Sequence, residues 1–394
     1  AVLRAGSHAR LLPGGELAAT ADADGTLVVW HVRTGSRLLT IEIGAGALTG
    51  LAVLGATAVA PVQPLGATRA WDLSAALPAP LEPRSGARLL AFAADGRLLS
   101  VGIDRTLHVH GRGREPARTL PEPLLDARFT TGGELVTLDR RGELGRDRRH
   151  HRGGDVTVQG ALSADGERAL IIGPQTRVLD TRSFAVIAEL PVGSAPYRGA
   201  LAPRGETAVL ATNGQLELWR VQPPERIATL ARIGEGGGAI AFSPDGARLA
   251  AATGGGGVAL FDTATGRSLA TLGPHVAKEI SALAFDATSS RIVSADADGV
   301  ALLWDATTGA QLGALVGHGD RITAVAFDPT GLRIATASLD ETARLWVAAT
   351  GAPMSVLPHG APLYALAFSA DGARLATSTG DAVRVWPPGS PSEN

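Results

Sequence analysis

The sequence predicts an all-β fold in which small antiparallel sheets stack on copies of themselves, and three observations carry that expectation. The strings AIAFSPDGARLAAATGGGGVALFD, ALAFDATSSRIVSADADGVALLWD, AVAFDPTGLRIATASLDETARLW and ALAFSADGARLATSTGDAVRVW place Phe242, Phe285, Phe327 and Phe368 in register, at intervals of 43, 42 and 41 residues. Each copy holds three short apolar runs separated by Gly/Asp/Pro turns. A sheet that small cannot bury both faces alone, so it must pack on its neighbours. Finally, a chain of 394 residues with 45% hydrophobic residues, 50 glycines and 24 prolines shows no sustained 3.6-residue pattern, as expected for many short strands joined by tight turns. Aromatic residues make up only 4%, so small aliphatics must fill the strands, with about one large side chain per unit.

The units can be followed from the first residues to the last. A shortened LLPGG near Leu11 opens the series. Turns ending in glycine after an apolar run then recur at Leu51 to Gly55, Phe92 to Gly96, Phe129 to Gly133, Leu162 to Gly166 and Leu201 to Gly205. The third strand of successive units ends at Trp30, Trp71, His110, Leu179, Trp219, Phe261, Trp304, Trp346 and Trp386. His110 and Leu179 stand 69 positions apart, too far for one unit, and ELVTLDRRGELGRD around Leu138 supplies an extra one. The count is ten units, with the second to fifth eroded and the last five well formed.

These residues resemble the WD-repeat β-propeller family of the bacterial type, whose repeats carry a Gly-His near the start and a Trp-Asp near the end. The ninth unit matches best, with Gly317-His318, Ser338, Asp340 and Trp346, and with Val347 where Asp is usual. The resemblance implies a hydrogen-bonded chain of His318, Ser338, Asp340 and Trp346 inside that blade. The eighth unit matches at His275, Asp298 and Trp304-Asp305, with Asp296 in the place of Ser338. The tenth matches at His359 and Trp386, with Asp381 one residue closer to the Trp. The first offers His8, Asp24 and Trp30, and the sixth keeps only Asn213 and Trp219.

The implied fold is a propeller of four-stranded antiparallel blades with about ten repeat units, as one large ring, two packed propellers or part of a longer array. A seven- or eight-bladed ring is the alternative if eroded units are misread. The array is expected to run over 1–386, eroded over 50–193 and well matched over 199–386, with a flexible tail at 387–394. Unit ten lacks an outer strand, and AVLRAGSH at 1–8 has the layout of GALVGHGD at 313–320. Residues Ala1 to Arg4 are therefore expected to complete the last blade beside Val383 to Trp386, covering an edge open to aggregation. A chain that starts at Ala1 and holds a single Met, Met354, reads as a domain cut from a larger protein or as a processed product.

Composition and motifs exclude several functions. A net charge of −2 creates no global field toward nucleic acid or an acidic membrane. The local exception is RRGELGRDRRHHRGG, which gathers Arg140, Arg141, Arg146, Arg148, Arg149 and Arg152 with His150 and His151. Arginine forks grip phosphate and carboxylate, so these residues are a candidate patch for an anionic partner; a solvated outer strand is the plainer reading. No interleaved aromatic offers base stacking, which disfavours single-stranded nucleic acid. The chain has no cysteine, hence no disulfide or thiolate metal site. Residues 43 to 68 are uncharged, but glycines and prolines interrupt them and they fall in register as two strands, so no membrane span is expected. The N-terminus has no apolar core of signal-peptide length, and a cytoplasmic location is expected, with secretion after removal of a leader as the alternative.

Catalytic signatures are lacking. There is no G-x-S-x-G, and Lys278, the lone lysine, has no glycine-rich loop before it. GEGGGA at 234–239 precedes a strand and not a helix, unlike a dinucleotide loop. ADADG at 21–25 and 295–299 lacks the later ligands of a calcium loop and coincides with the repeat turn. No cofactor and no metal are expected.

The expected function is a non-catalytic scaffold for protein or peptide partners, because a ring of blades holds many loop side chains still on one broad face. The resemblance implies a partner-binding face of Lys278, Arg321 and Tyr364 after the Gly-His positions and Leu339 before the turn Asp340. Two alternatives are a ligand-sensing module of a larger signalling protein, such as a kinase or ATPase, and a propeller hydrolase or lactonase. The oligomeric state stays open.

Overall fold

The computed structural model describes residues 8–386 apart from 12–16, 22–25, 32–36, 43–46, 49–51, 55–56, 64–66, 73–86, 103, 112–117, 148, 152–158, 233–237 and 278; before residue 73, side chains are described only at 18–20 and 28–30. Every described element is a β-strand, bounded by turns in which glycine supplies the left-handed conformation. The strands form ten antiparallel sheets.

Eight of the sheets are the blades of one ring. They span 87–119, 124–151, 159–190, 198–232, 240–272, 280–316, 322–358 and 363–386, and are numbered blades 1 to 8 below. In each, the strands follow chain order from the channel to the rim. The first strands, among them Ala87–Phe92 of blade 1, Ile322–Phe327 of blade 7 and Leu363–Phe368 of blade 8, each pack on the first strand of the next blade, and the eighth packs back on the first.

The expectation of about ten blades is therefore corrected to eight. All ten repeats fold into sheets, but the sheets at 8–42 and 47–72 precede the ring, because eight first strands already complete the circle. The eroded third, fourth and fifth units are blades 1, 2 and 3. They hold their seats through apolar packing, such as Val136, Leu138 and Leu144 of blade 2 against Leu162, Ala169 and Leu179 of blade 3, all buried. At about 25 cal/mol per Å² of apolar surface, such seams need no hydrogen-bonded signature to be stable.

A recurrent arginine latch joins the blades. Arg97, Arg291 and Arg333 open the second strands of blades 1, 6 and 7. Each donates to the turn glycine carbonyl of the next blade, at Gly133 (2.5 Å), Gly331 (2.6 Å) and Gly372 (2.8 Å). The same guanidinium groups lie over Phe129, Phe327 and Phe368 of that next blade, at 4.8, 5.4 and 5.8 Å from the ring centres, a cation–π geometry.

Ring closure uses the same device. Arg374 of blade 8 donates to Gly96 O of blade 1 (2.9 Å) and covers Phe92 at 5.1 Å. Ala87 N–H donates to Ser378 Oγ (2.7 Å), and Ala87 and Leu98 pack on Ala376 and Val383. The expected pairing of Ala1 to Arg4 lies outside the described residues. Among those residues blade 8 has three strands.

Candidate functional site

The site is built on buried polar chains that fix the loops of one face. In blade 7, His318 Nδ1 donates to Asp340 Oδ2 (2.8 Å), Thr336 Oγ1 lies 2.7 Å from His318 Nε2, and Trp346 Nε1 donates to Thr336 Oγ1 (2.9 Å). One polarity satisfies every group: indole N–H to hydroxyl, hydroxyl to imidazole, imidazole N–H to carboxylate. Burial acts to raise the Asp340 carboxyl. The hydrogen bonds from His318, Thr342 and the Gly319 N–H outweigh it and hold the group well below the usual carboxylate range.

Two expected members of these chains are corrected. Ser338 does not bridge His318 and Trp346; the bridge is Thr336, while Ser338 Oγ donates to Asp320 O (2.9 Å) and accepts the Asp340 N–H (3.1 Å). Residues 336 and 338 share a face of the strand. Trp346 pairs across from Ile334, so its indole reaches only the nearer hydroxyl. In blade 6 the acid is Asp296 and not Asp298: His275 binds Asp296 Oδ2 (2.8 Å) and Ser294 Oγ (2.6 Å), and Trp304 Nε1 donates to Ser294 (2.8 Å). Asp298 contributes only its backbone N–H, to Asp296 Oδ1.

The remaining units keep parts of the pattern. In blade 8, His359 binds Thr377 (2.7 Å), which also accepts from Trp386 (2.8 Å). With no acid in reach, His359 Nδ1 donates to Leu357 O (2.9 Å), and Asp381 pairs with Thr379. Burial pushes His359 down to about 4. Trp30 donates to Thr20 (2.7 Å) in the first sheet, whereas Asp24 and the His8 side chain lie outside the described residues. Trp219 of blade 4 uses Glu217, and Asn213 takes a left-handed turn position. His110 of blade 1 meets Ser100 (2.9 Å); burial, then the neighbouring His108, push it down to about 4.

The expected partner-binding residues that are described lie at one mouth of the ring. Leu339 N–H donates to Arg321 O (3.0 Å), and Leu339 is half-buried. Arg321 pairs with Glu279 of blade 6, and Tyr364 of blade 8 is 44% exposed. Lys278 lies outside the described residues. Beside these, the structure adds Val276, 98% exposed, and Tyr197, 39% exposed. Tyr197 stands four residues before Leu201 and Tyr364 four before Phe368, the last residues of their first strands. The chain's two tyrosines thus hold one register position in blades 4 and 8, opposite each other in a ring of eight. The in-register strings YRGAL and YALAF were the overlooked signal.

The arginine segment is divided by its own hairpin. Arg140 and Arg141 occupy the turn between Leu135–Asp139 and Leu144–Arg146, at the mouth end, and Arg141 pairs with Glu122. The strand then carries the chain to the other end. There Arg146 is buried, bound to Glu134 (Nε, 2.9 Å), Glu167 (2.8 Å) and Thr181 (2.8 Å). Arg149 lies over Phe184 at 5.1 Å and donates to Arg182 O (3.0 Å). Arg148 and Arg152 lie outside the described residues.

Among the described residues no group of three His, Asp or Glu side chains is placed to hold a metal ion, and no helix is long and apolar enough to cross a membrane.

The match to a family model agrees with this geometry. The family model described as WD domain, G-beta repeat, matches residues 266–305, 309–347 and 351–387, each match running from one blade's outer strand through the third strand of the next. Among solved structures, the crystal structure of the computationally designed Ika8 protein is similar at 19% identity, covering 97% of this chain and 96% of that one, with a TM-score of 0.49. No curated protein matches the chain. Three matched WD repeats, each with the Trp-to-hydroxyl-to-His link of its blade, stand in a closed ring of eight antiparallel blades, and the chain is a β-propeller that carries WD repeats over 266–387.

Proposed function

We propose that the ring is a non-catalytic platform for a protein or peptide partner that docks across the mouth carrying Tyr197, Val276, Arg321, Leu339 and Tyr364. The observation that carries this reading is the exposure of the two tyrosines at one register position on opposite blades. Tyrosine brings large contact area at low conformational cost and is enriched among residues that dominate interface energy. The WD-repeat family is commonly an interaction scaffold. In this chain the hydroxyl–imidazole–carboxylate chains of blades 6 and 7 are buried and hold the loops of the mouth in place.

The test is affinity capture with the wild-type chain and the double variant Tyr197→Ser/Tyr364→Ser, followed by a binding measurement on the recovered protein. Loss of affinity by tenfold or more, about 1.4 kcal/mol, with an unchanged melting temperature is expected. Equal binding by that variant, together with loss in Arg140→Glu/Arg141→Glu, would move the site to the arginine turn.

A further inference from the structure

Blade 1 lacks an acid that three other blades carry at one register position, as does blade 7, where Val347 faces Arg333. Across the second and third strands, Arg168 faces Asp180, Arg248 faces Asp262 and Arg291 faces Asp305. Asp305 also lies within electrostatic reach of Arg248 of the preceding blade, which donates to Ser289 O across the seam (2.7 Å). In blade 1 the residue after His110, opposite Arg97, is Gly111, where an added Cβ would stand 2.7 Å from Arg97 Cγ.

Beside Gly111 a cavity of about 680 Å³ opens, lined among the described residues by Asp95, Gly96, Arg97, Gly111 and Arg374. Its two arginines come from the two blades that close the ring. Arg97 commits Nε to Asp95 (2.7 Å) and one Nη to Gly133 O, and Arg374 commits one Nη to Gly96 O. A guanidinium carries five N–H donors, so both keep donors beyond these bonds. Among the described residues Asp95 is the only acid in the lining, against the two arginines.

We propose that this cavity binds a small oxyanion, the phosphate or carboxylate group of a ligand, held between Arg97 and Arg374. Guanidinium forks match either group in planar, paired hydrogen bonds. Because Arg97 belongs to blade 1 and Arg374 to blade 8, the ligand spans the closing seam and binds the closed ring in preference to an opened one. By linkage it stabilises the ring.

The experiment is thermal unfolding and calorimetric titration of the full chain with inorganic phosphate and, separately, succinate, each against sodium chloride at equal ionic strength. A saturable rise in melting temperature with either anion is expected. A response to phosphate alone assigns a phosphate ligand, and a response to succinate alone a carboxylate ligand. Gly111→Asp supplies the missing acid and should weaken binding at least tenfold. Since its Cβ must displace the Arg97 side chain, Asp95→Asn serves as the second variant. Asp95 is 55% exposed, and removing its charge should tighten binding severalfold. The proposal is overturned by absence of any anion-specific response in the wild type. It is overturned equally by unchanged affinity in Gly111→Asp or, should that variant not fold, by unchanged affinity in Asp95→Asn.

Discussion

Replacing Arg333 by Leu removes the partner of a carboxylate that has no water to turn to. Asp328 is fully buried, with 0% of its side chain exposed and 10% of that of Arg333. The guanidinium holds it by Nε and Nη2, both at 3.0 Å. Breaking a buried pair from one side costs about 3–5 kcal/mol, because the remaining charge is left uncompensated. Lost with it are the bond to Gly372 O and the stacking on Phe368, both across the seam to blade 8. With an unfolding entropy of about 2.1 cal/mol/K per residue, a ring of about 300 residues shifts by about 1.6 °C per kcal/mol, so Arg333→Leu should melt about 5–8 °C lower. Arg97→Leu is the control. Its partner Asp95 is exposed, a pair of the kind typically worth about 0–1 kcal/mol, so its loss should be mainly that of the latch. Adding Asp328→Asn to Arg333→Leu should recover at least half of the lost stability. Scanning calorimetry on the four proteins decides the matter. Equal losses for Arg333→Leu and Arg97→Leu, or no recovery in the double variant, would refute the buried-charge argument.

Further expectations concern the polar chains. Thr336→Val strands both His318 Nε2 and the Trp346 N–H, at about 1–3 kcal/mol for each buried group. Ser338→Ala should cost about 1 kcal/mol, so urea titrations must rank Thr336→Val as the more damaging. Asp340→Ala should likewise exceed Asp104→Ala, whose carboxylate is exposed and bonds Thr106; equal urea midpoints would count against an intact chain in blade 7. His359, down to about 4 against an ordinary 6.5, is favoured neutral in the fold. Its contribution is complete above pH 6.5 and is lost as the pH falls toward 4, by on the order of 3 kcal/mol. A melting profile over this range should flatten in His359→Asn. Asp340 behaves oppositely in range: held below 3.8, it keeps its contribution above that value and loses it only in stronger acid.

The sequence by itself determined the strand-and-turn unit, its period and the stacking of unit on unit. Those features are local, since a glycine at a left-handed turn such as Gly372 (φ 67°) and a run such as RLATST are legible without their neighbours. It also marked blades 6 to 8 through His275, His318 and His359 with their tryptophans, because one hydrogen-bonded chain requires particular residue types at set spacings. Blade number was decided only by the tertiary structure. How many first strands complete a circle depends on the angle at which Ala- and Gly-rich strands meet, and no single repeat records that angle. Blades 2 and 3 likewise show that apolar packing suffices to seat a unit whose signature has eroded.

Side-chain partnership was also a matter of the third dimension. Thr336 replaced Ser338 because the reach of Trp346 is set by cross-strand register. Arg146 left the run of basic residues because the strand that carries it turns it toward Glu134 and Glu167. Arg374, 278 residues from Gly96 in the chain, became the ring's closing contact because closure brings the last blade against the first.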